Sequence, residues 1–85
     1  MKESASERTA KYVEATSVSL RRLKNAKLPA TVIQSQLDYV LELVQGYVND
    51  ARHYTEKRKQ VTSLACIAYA EGLLDSLKFL GLVEF

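Results

Sequence analysis

The chain has 85 residues, 47% of them apolar and 26% charged, with three glycines and one proline. It is too short for two cores, since a chain of this size buries only roughly 60 to 65% of its unfolded surface, too apolar for disorder, and too poor in turn residues for a β-sandwich. A formal charge of +2 defines no large electrostatic field, so the arrangement of the charges matters more than their sum.

A single helical domain over residues 1–85 is the expected organisation. Ser4 and Glu7 fit the S-x-x-E capping box, so the first helix is expected over about 5–25. Its inward stripe, Ser6, Thr9, Ala10, Val13, Thr16, Ser17, Leu20 and Leu23, mixes hydroxylated and small residues with few large apolar ones. This helix depends most on docking. Pro29 then breaks the pattern and biases Leu28 away from helix.

The second helix is expected over 31–56. Ile33, Leu37, Val40, Val44, Tyr47, Ala51 and Tyr54 recur at spacings of four and three, flanked by Leu41 and Val48. TEKRKQ (55–60) interrupts the apolar series without glycine or proline, and a third series follows at 60–80. The three-and-four spacing bridges the interruption if Arg58 takes a seam position, so a continuous helix of nearly fifty residues is the alternative to a turn at 57–60. The preferred reading is an all-α, antiparallel up-down-up three-helix bundle, because average helices have ~11 residues and a continuous one would carry three successive cations through its middle.

At 100° per residue, Ala65, Ala68, Gly72 and Ser76 form one strip of small side chains on the third helix, ended by Val61 and Phe79. A helical glycine costs ~1 kcal/mol relative to alanine, so close packing against Val44, Tyr47 and Tyr54 of the second helix is expected to offset it. Ile67, Ala70, Leu74 and Leu77 point away from that strip. They either meet another helix, making this the central element, or form an exposed patch for a second chain.

Glu71 and Asp75 lie beside the strip and read as a solvated edge with Lys78. No Cys/His pair or phosphate-binding loop accompanies them, so no catalytic, cofactor-binding or metal-ligating residue is assigned, and the expected protein is not an enzyme. Cys66 sits in LACIAYA, where a small inert core residue is expected. A lone cysteine, the absence of an apolar leader in MKESASERTAKY and the absence of any run near ~20 apolar residues suit a cytoplasmic chain with no membrane partner.

The run from the second helix into SLACIAYAEGLLDSL resembles an archaeal helical family, domain of unknown function family 357. Its members pair a Tyr-rich helix with an alanine-rich helix bearing Y-A-x-G-L-L-D, which Tyr69, Ala70, Gly72, Leu73, Leu74 and Asp75 match over a likeness covering about 33–80. The resemblance implies an antiparallel three-helix bundle and no established activity. It also implies a glycine at the turn after the second helix, where this chain has Lys57-Arg58-Lys59.

Charge alternates by segment: +4 over 18–30, −3 over 31–51, +3 over 52–60 and −2 over 61–85. In up-down-up order the cations at each end of the bundle meet anions, unlike the continuous basic stripe that phosphate backbones favour. The expected function is therefore a non-enzymatic protein-interaction or self-association module working through the third helix as a homo-oligomer or with a protein partner. The alternative is an accessory nucleic-acid- or nucleotide-binding domain, with Arg21, Arg22, Lys24, Lys57, Arg58 and Lys59 as phosphate contacts.

Overall fold

Ser4 begins the first helix as the sequence requires: its Oγ accepts the backbone N–H of Glu7 at 3.1 Å, satisfying one of the free donors of the first turn. The structure, a computed structural model, describes residues 4–85; residues 1–3 of the expected 1–85 domain lie outside the described residues. Helix α1 spans Ala5–Arg22, strand β1 Lys24–Asn25, helix α2 Gln34–Glu56, helix α3 Gln60–Phe79 and strand β2 Val83–Glu84. The fold is the all-α three-helix bundle, in up-down-up order. Arg52 of α2 donates to Ser17 Oγ of α1 at 2.7 Å, and the strands that follow α1 and α3 pair with each other, so those two helices run the same way.

Two helix boundaries differ from expectation, each for a local reason. α1 ends at Arg22 rather than residue 25, because Leu23 turns extended and Lys24 and Asn25 pair antiparallel with Glu84 and Val83. The backbone N–H of Ala26 continues this contact to the Leu82 carbonyl at 3.3 Å. α2 starts at Gln34 rather than residue 31, since Val32 N–H closes a turn onto the Pro29 carbonyl. Ile33 consequently precedes the helix and is exposed instead of core.

The break between α2 and α3 is real. Lys59 N–H reaches the Tyr54 carbonyl at 2.8 Å and Arg58 N–H the Thr55 carbonyl at 3.0 Å, a Schellman termination with Arg58 at its left-handed position, φ 59°. The end of α3 repeats the device. Leu82 N–H bonds the Leu77 carbonyl, Gly81 N–H bonds the Lys78 carbonyl, and Gly81 holds φ 74°.

The core joins Val44, Val48 and Ala51 of α2 to Ile67, Ala70 and Leu74 of α3, with Val13 and Leu20 of α1 packed against them. A second cluster, Leu37, Leu77, Leu82 and Val83, closes the ladder end. Here the structure corrects the orientation of α3. Ile67, Ala70, Leu74 and Leu77, offered as an interface, are buried within this chain, whereas Ala65, Ala68, Gly72 and Ser76, offered as the close-packing strip, face outward. A β-carbon placed on Gly72 would meet nothing within 4 Å. Magnitude decides between the faces. Burying an Ile or Leu side chain contributes roughly 1.5 to 3 kcal/mol, and a glycine or alanine far less, so a helix apolar nearly all round turns its larger residues inward.

Near the α2–α3 turn, three polar groups close the packing. Ser63 is fully buried, and its Oγ donates to the Ala51 carbonyl at 2.6 Å. Thr55 Oγ1 lies 2.9 Å from the same carbonyl and 2.6 Å from Ser63 Oγ. Two hydroxyl protons thus serve three close oxygen contacts, tying the first turn of α3 to the last of α2.

Candidate functional site

With its large residues inward, α3 leaves an unusual outer surface. Its exposed residues are Val61, Thr62, Ala65, Ala68, Tyr69, Gly72, Ser76, Lys78 and Phe79, and only Lys78 among them is charged. A solvated helix face ordinarily carries charge throughout. Val61 and Phe79, at the two ends, are each 82% exposed, and Leu80 beyond them is 72% exposed. Between these bulky ends the strip of Ala65, Ala68, Gly72 and Ser76 is shallow, having little or no side chain, and Tyr69, 55% exposed, stands at its edge toward α2. Ser76 Oγ donates back to the Gly72 carbonyl at 2.8 Å, which turns its hydroxyl onto its own helix.

The surface continues onto α2. The Tyr47 ring, expected in the trough of the small strip, instead meets Tyr69 with centroids 4.7 Å apart and planes at 45°. Further along α2, Leu43 is partly exposed and Tyr39 is 61% exposed. Gly46 is open outward, since a β-carbon added to it would meet nothing within 4 Å. The sequence pattern did not single out Tyr39 and Leu43 as surface residues; their signal is that both fall off the stripe that carries Leu37, Val44 and Val48. Chemically this two-helix surface supplies apolar contact and shape.

Glu71 and Asp75 are half-buried rather than fully solvated. Burial, and then the neighbouring Asp75 carboxylate, pushes the Glu71 carboxyl above its ordinary value. Among the described residues no three of His, Cys, Asp and Glu gather as a metal site. Cys66 is half-buried, and its thiol is raised first by burial and then by Asp50, which disfavours the reactive thiolate. Among the described residues, no helix is long and apolar enough to cross a membrane.

The basic candidates separate into two groups. Arg21, Arg22 and Lys24 line one open depression at the ladder end together with Leu23, Glu84 and Phe85. There Lys24 stands opposite Glu84 in the ladder, and Lys78 Nζ lies 4.4 Å from the centre of the Phe85 ring. Lys57, Arg58 and Lys59 are exposed at the α2–α3 turn, the opposite end of a molecule 46 Å long. The structure does not bring the two groups together.

These elements define a small all-helical domain with an apolar, largely uncharged outer face and no gathered cluster of metal-ligating side chains among the described residues. The chain belongs to the family described as Protein of unknown function (DUF357), which it matches over residues 11–83. That span takes in most of α1, all of α2 and α3, and the first residue of β2. No curated protein matches it.

Proposed function

We propose that the protein is a non-enzymatic protein-interaction module that docks through the outer face of α3. The observation carrying this reading is the near absence of charge on the exposed positions of α3, with Val61 and Phe79 standing free at its ends. Contiguous apolar surface of this kind marks interaction sites on soluble domains. Gly72 adds support. Its helix cost of ~1 kcal/mol is not explained by close packing among the described residues, since a β-carbon there would meet nothing within 4 Å, and close approach of another protein would supply a reason. A cytoplasmic setting accompanies the proposal, since a reducing compartment suits a lone thiol at Cys66.

Photocrosslinking in cells tests it. A benzophenone amino acid at position 65 or 72 is expected to give adducts with protein, and the same probe at exposed Ala15 on α1 is expected to give none. Adducts with RNA at the α3 positions would favour the phosphate-binding alternative, and equal labelling at position 15 would count against a defined face.

A further inference from the structure

We propose that the occupant of this face is a second copy of the same chain, packed antiparallel about a two-fold axis that passes beside residue 70. This rests on the docking reading above and names its partner. Two observations select a second copy over an unrelated protein, and a third sets the area the pair must bury.

The first is self-complementarity. A two-fold interface requires that residue i meet j while j meets i. Along the small strip of α3, which exposed Tyr69 flanks on the side of Tyr47, the sizes run large, small, small, small, small, large, from Val61 through Ala65, Ala68, Gly72 and Ser76 to Phe79. That order reads the same in both directions. Val61 and Phe79 lie equally far from residue 70, as do Ala68 and Gly72. In the antiparallel pair each Val61 therefore packs beside the partner's Phe79, and the small residues cross at the axis, where two backbones come closest. On α2, Gly46 precedes Tyr47, whose ring touches Tyr69, so the open glycine of that helix falls at the same level.

The second is charge. At the turn end of the α2–α3 layer, Lys57, Arg58 and Lys59 against Glu56 leave a formal +2, Arg52 being turned to α1; at the other end Glu42, Glu71 and Asp75 against Lys78 leave −2, Asp38 lining the cleft beside α1. Antiparallel placement lays the positive end of one copy's α2–α3 layer over the negative end of the other's, while Arg21, Arg22 and Lys24 belong to α1 and β1 outside that layer. Parallel placement would stack like on like.

The third is area. The 20 residues of α3 present a strip about 30 Å long and about 10 Å wide, roughly 300 Å² per partner. A specific interface buries on the order of 1,000 Å² or more in total, so α3 alone falls short. Adding the α2 edge with Tyr39, Leu43 and Tyr47 doubles the footprint and clears that threshold. The pair is thus a four-helix layer in which α3 faces α3 and α2 faces α2.

Sedimentation equilibrium of the purified chain is expected to give twice its 9.6 kDa mass at micromolar concentration. Gly72→Glu and Ala68→Glu, both at exposed positions, are expected to raise the dissociation constant on the order of a hundredfold while helical circular dichroism is retained. Geometry is read separately in a Cys66→Ser background. Val61→Cys mixed with Phe79→Cys is expected to form a disulfide-linked pair, and neither variant alone is, because two copies of position 61 stand about 27 Å apart along the axis. A disulfide in the Val61→Cys variant alone would overturn the antiparallel pairing. A monomer that still gives adducts with another protein at position 72 would overturn the second copy and leave the docking reading standing, and a monomer without adducts would end both.

Discussion

Arg58 shows how much one dihedral angle decides. Its φ of 59° places a non-glycine residue in the left-handed region, at roughly 1 to 2 kcal/mol. The three consecutive polar residues at that turn gave no sign of it. The family resemblance, with its glycine there, did. Arg58→Gly is accordingly expected to stabilise the fold by about 1 kcal/mol, measured by urea denaturation with an unchanged m-value. Ser63 is the opposite case: Ser63→Ala deletes a buried donor between α2 and α3 and is expected to cost about 1 kcal/mol in the same measurement. Glu71 sets a pH dependence. Its folded carboxyl is raised above its ordinary value of 4.5, so the favourable margin is complete below that value and is lost as pH rises through the raised one. Glu71→Gln should flatten that stretch of the stability–pH curve, with a gain at neutral pH below about 1 kcal/mol because the group keeps solvent access. A steeper curve in the variant would contradict this assignment.

At the scale of elements, legibility followed periodicity. α2 was readable because its large residues occupy one stripe and its polar residues the other, and α1 because Ser4 and Glu7 announce its start. α3 was readable as a helix but not in its rotation: with Ile67, Leu74 and Leu77 on one side and Val61, Ala68 and Phe79 on the other, a 3.6-residue period points nowhere. Burial of the larger set settled it. The ladder was invisible, since two residues per strand carry no alternation to detect. α1 has the least secure seat. It buries Thr9, Thr16 and Ser17 where α2 and α3 bury Leu, Val and Ile, and Thr16 Oγ1 is buried without a hydrogen-bond partner among the described residues. Its amides are expected to exchange with deuterium faster than those of the central turns of α2 and α3, and equal protection in all three helices would refute the ranking.

For the molecule as a whole, the candidate site lay in the same residues that the sequence singled out, with inside and outside exchanged. The small strip was expected to hold two helices of one chain together and instead remains open to whatever lies beyond it. The separation of charge was legible from the start, because segment sums require no knowledge of rotation. Its use in pairing became visible only once the turn at 57–59 placed Lys57, Arg58 and Lys59 at one end of the α2–α3 layer. If that pairing is electrostatically aligned, added salt should weaken it modestly: the dissociation constant is expected to rise several-fold between low and physiological ionic strength, where the Debye length shrinks to ~8 Å. Salt-strengthened association would point to purely apolar contact.

The short ladder has a kinetic implication. Lys24 and Glu84 are separated by most of the chain, so joining them demands closure of a long loop, whereas the α2–α3 hairpin forms from near neighbours. The hairpin should therefore assemble early and the clasp snap shut late. On the way out, the clasp is where unravelling begins.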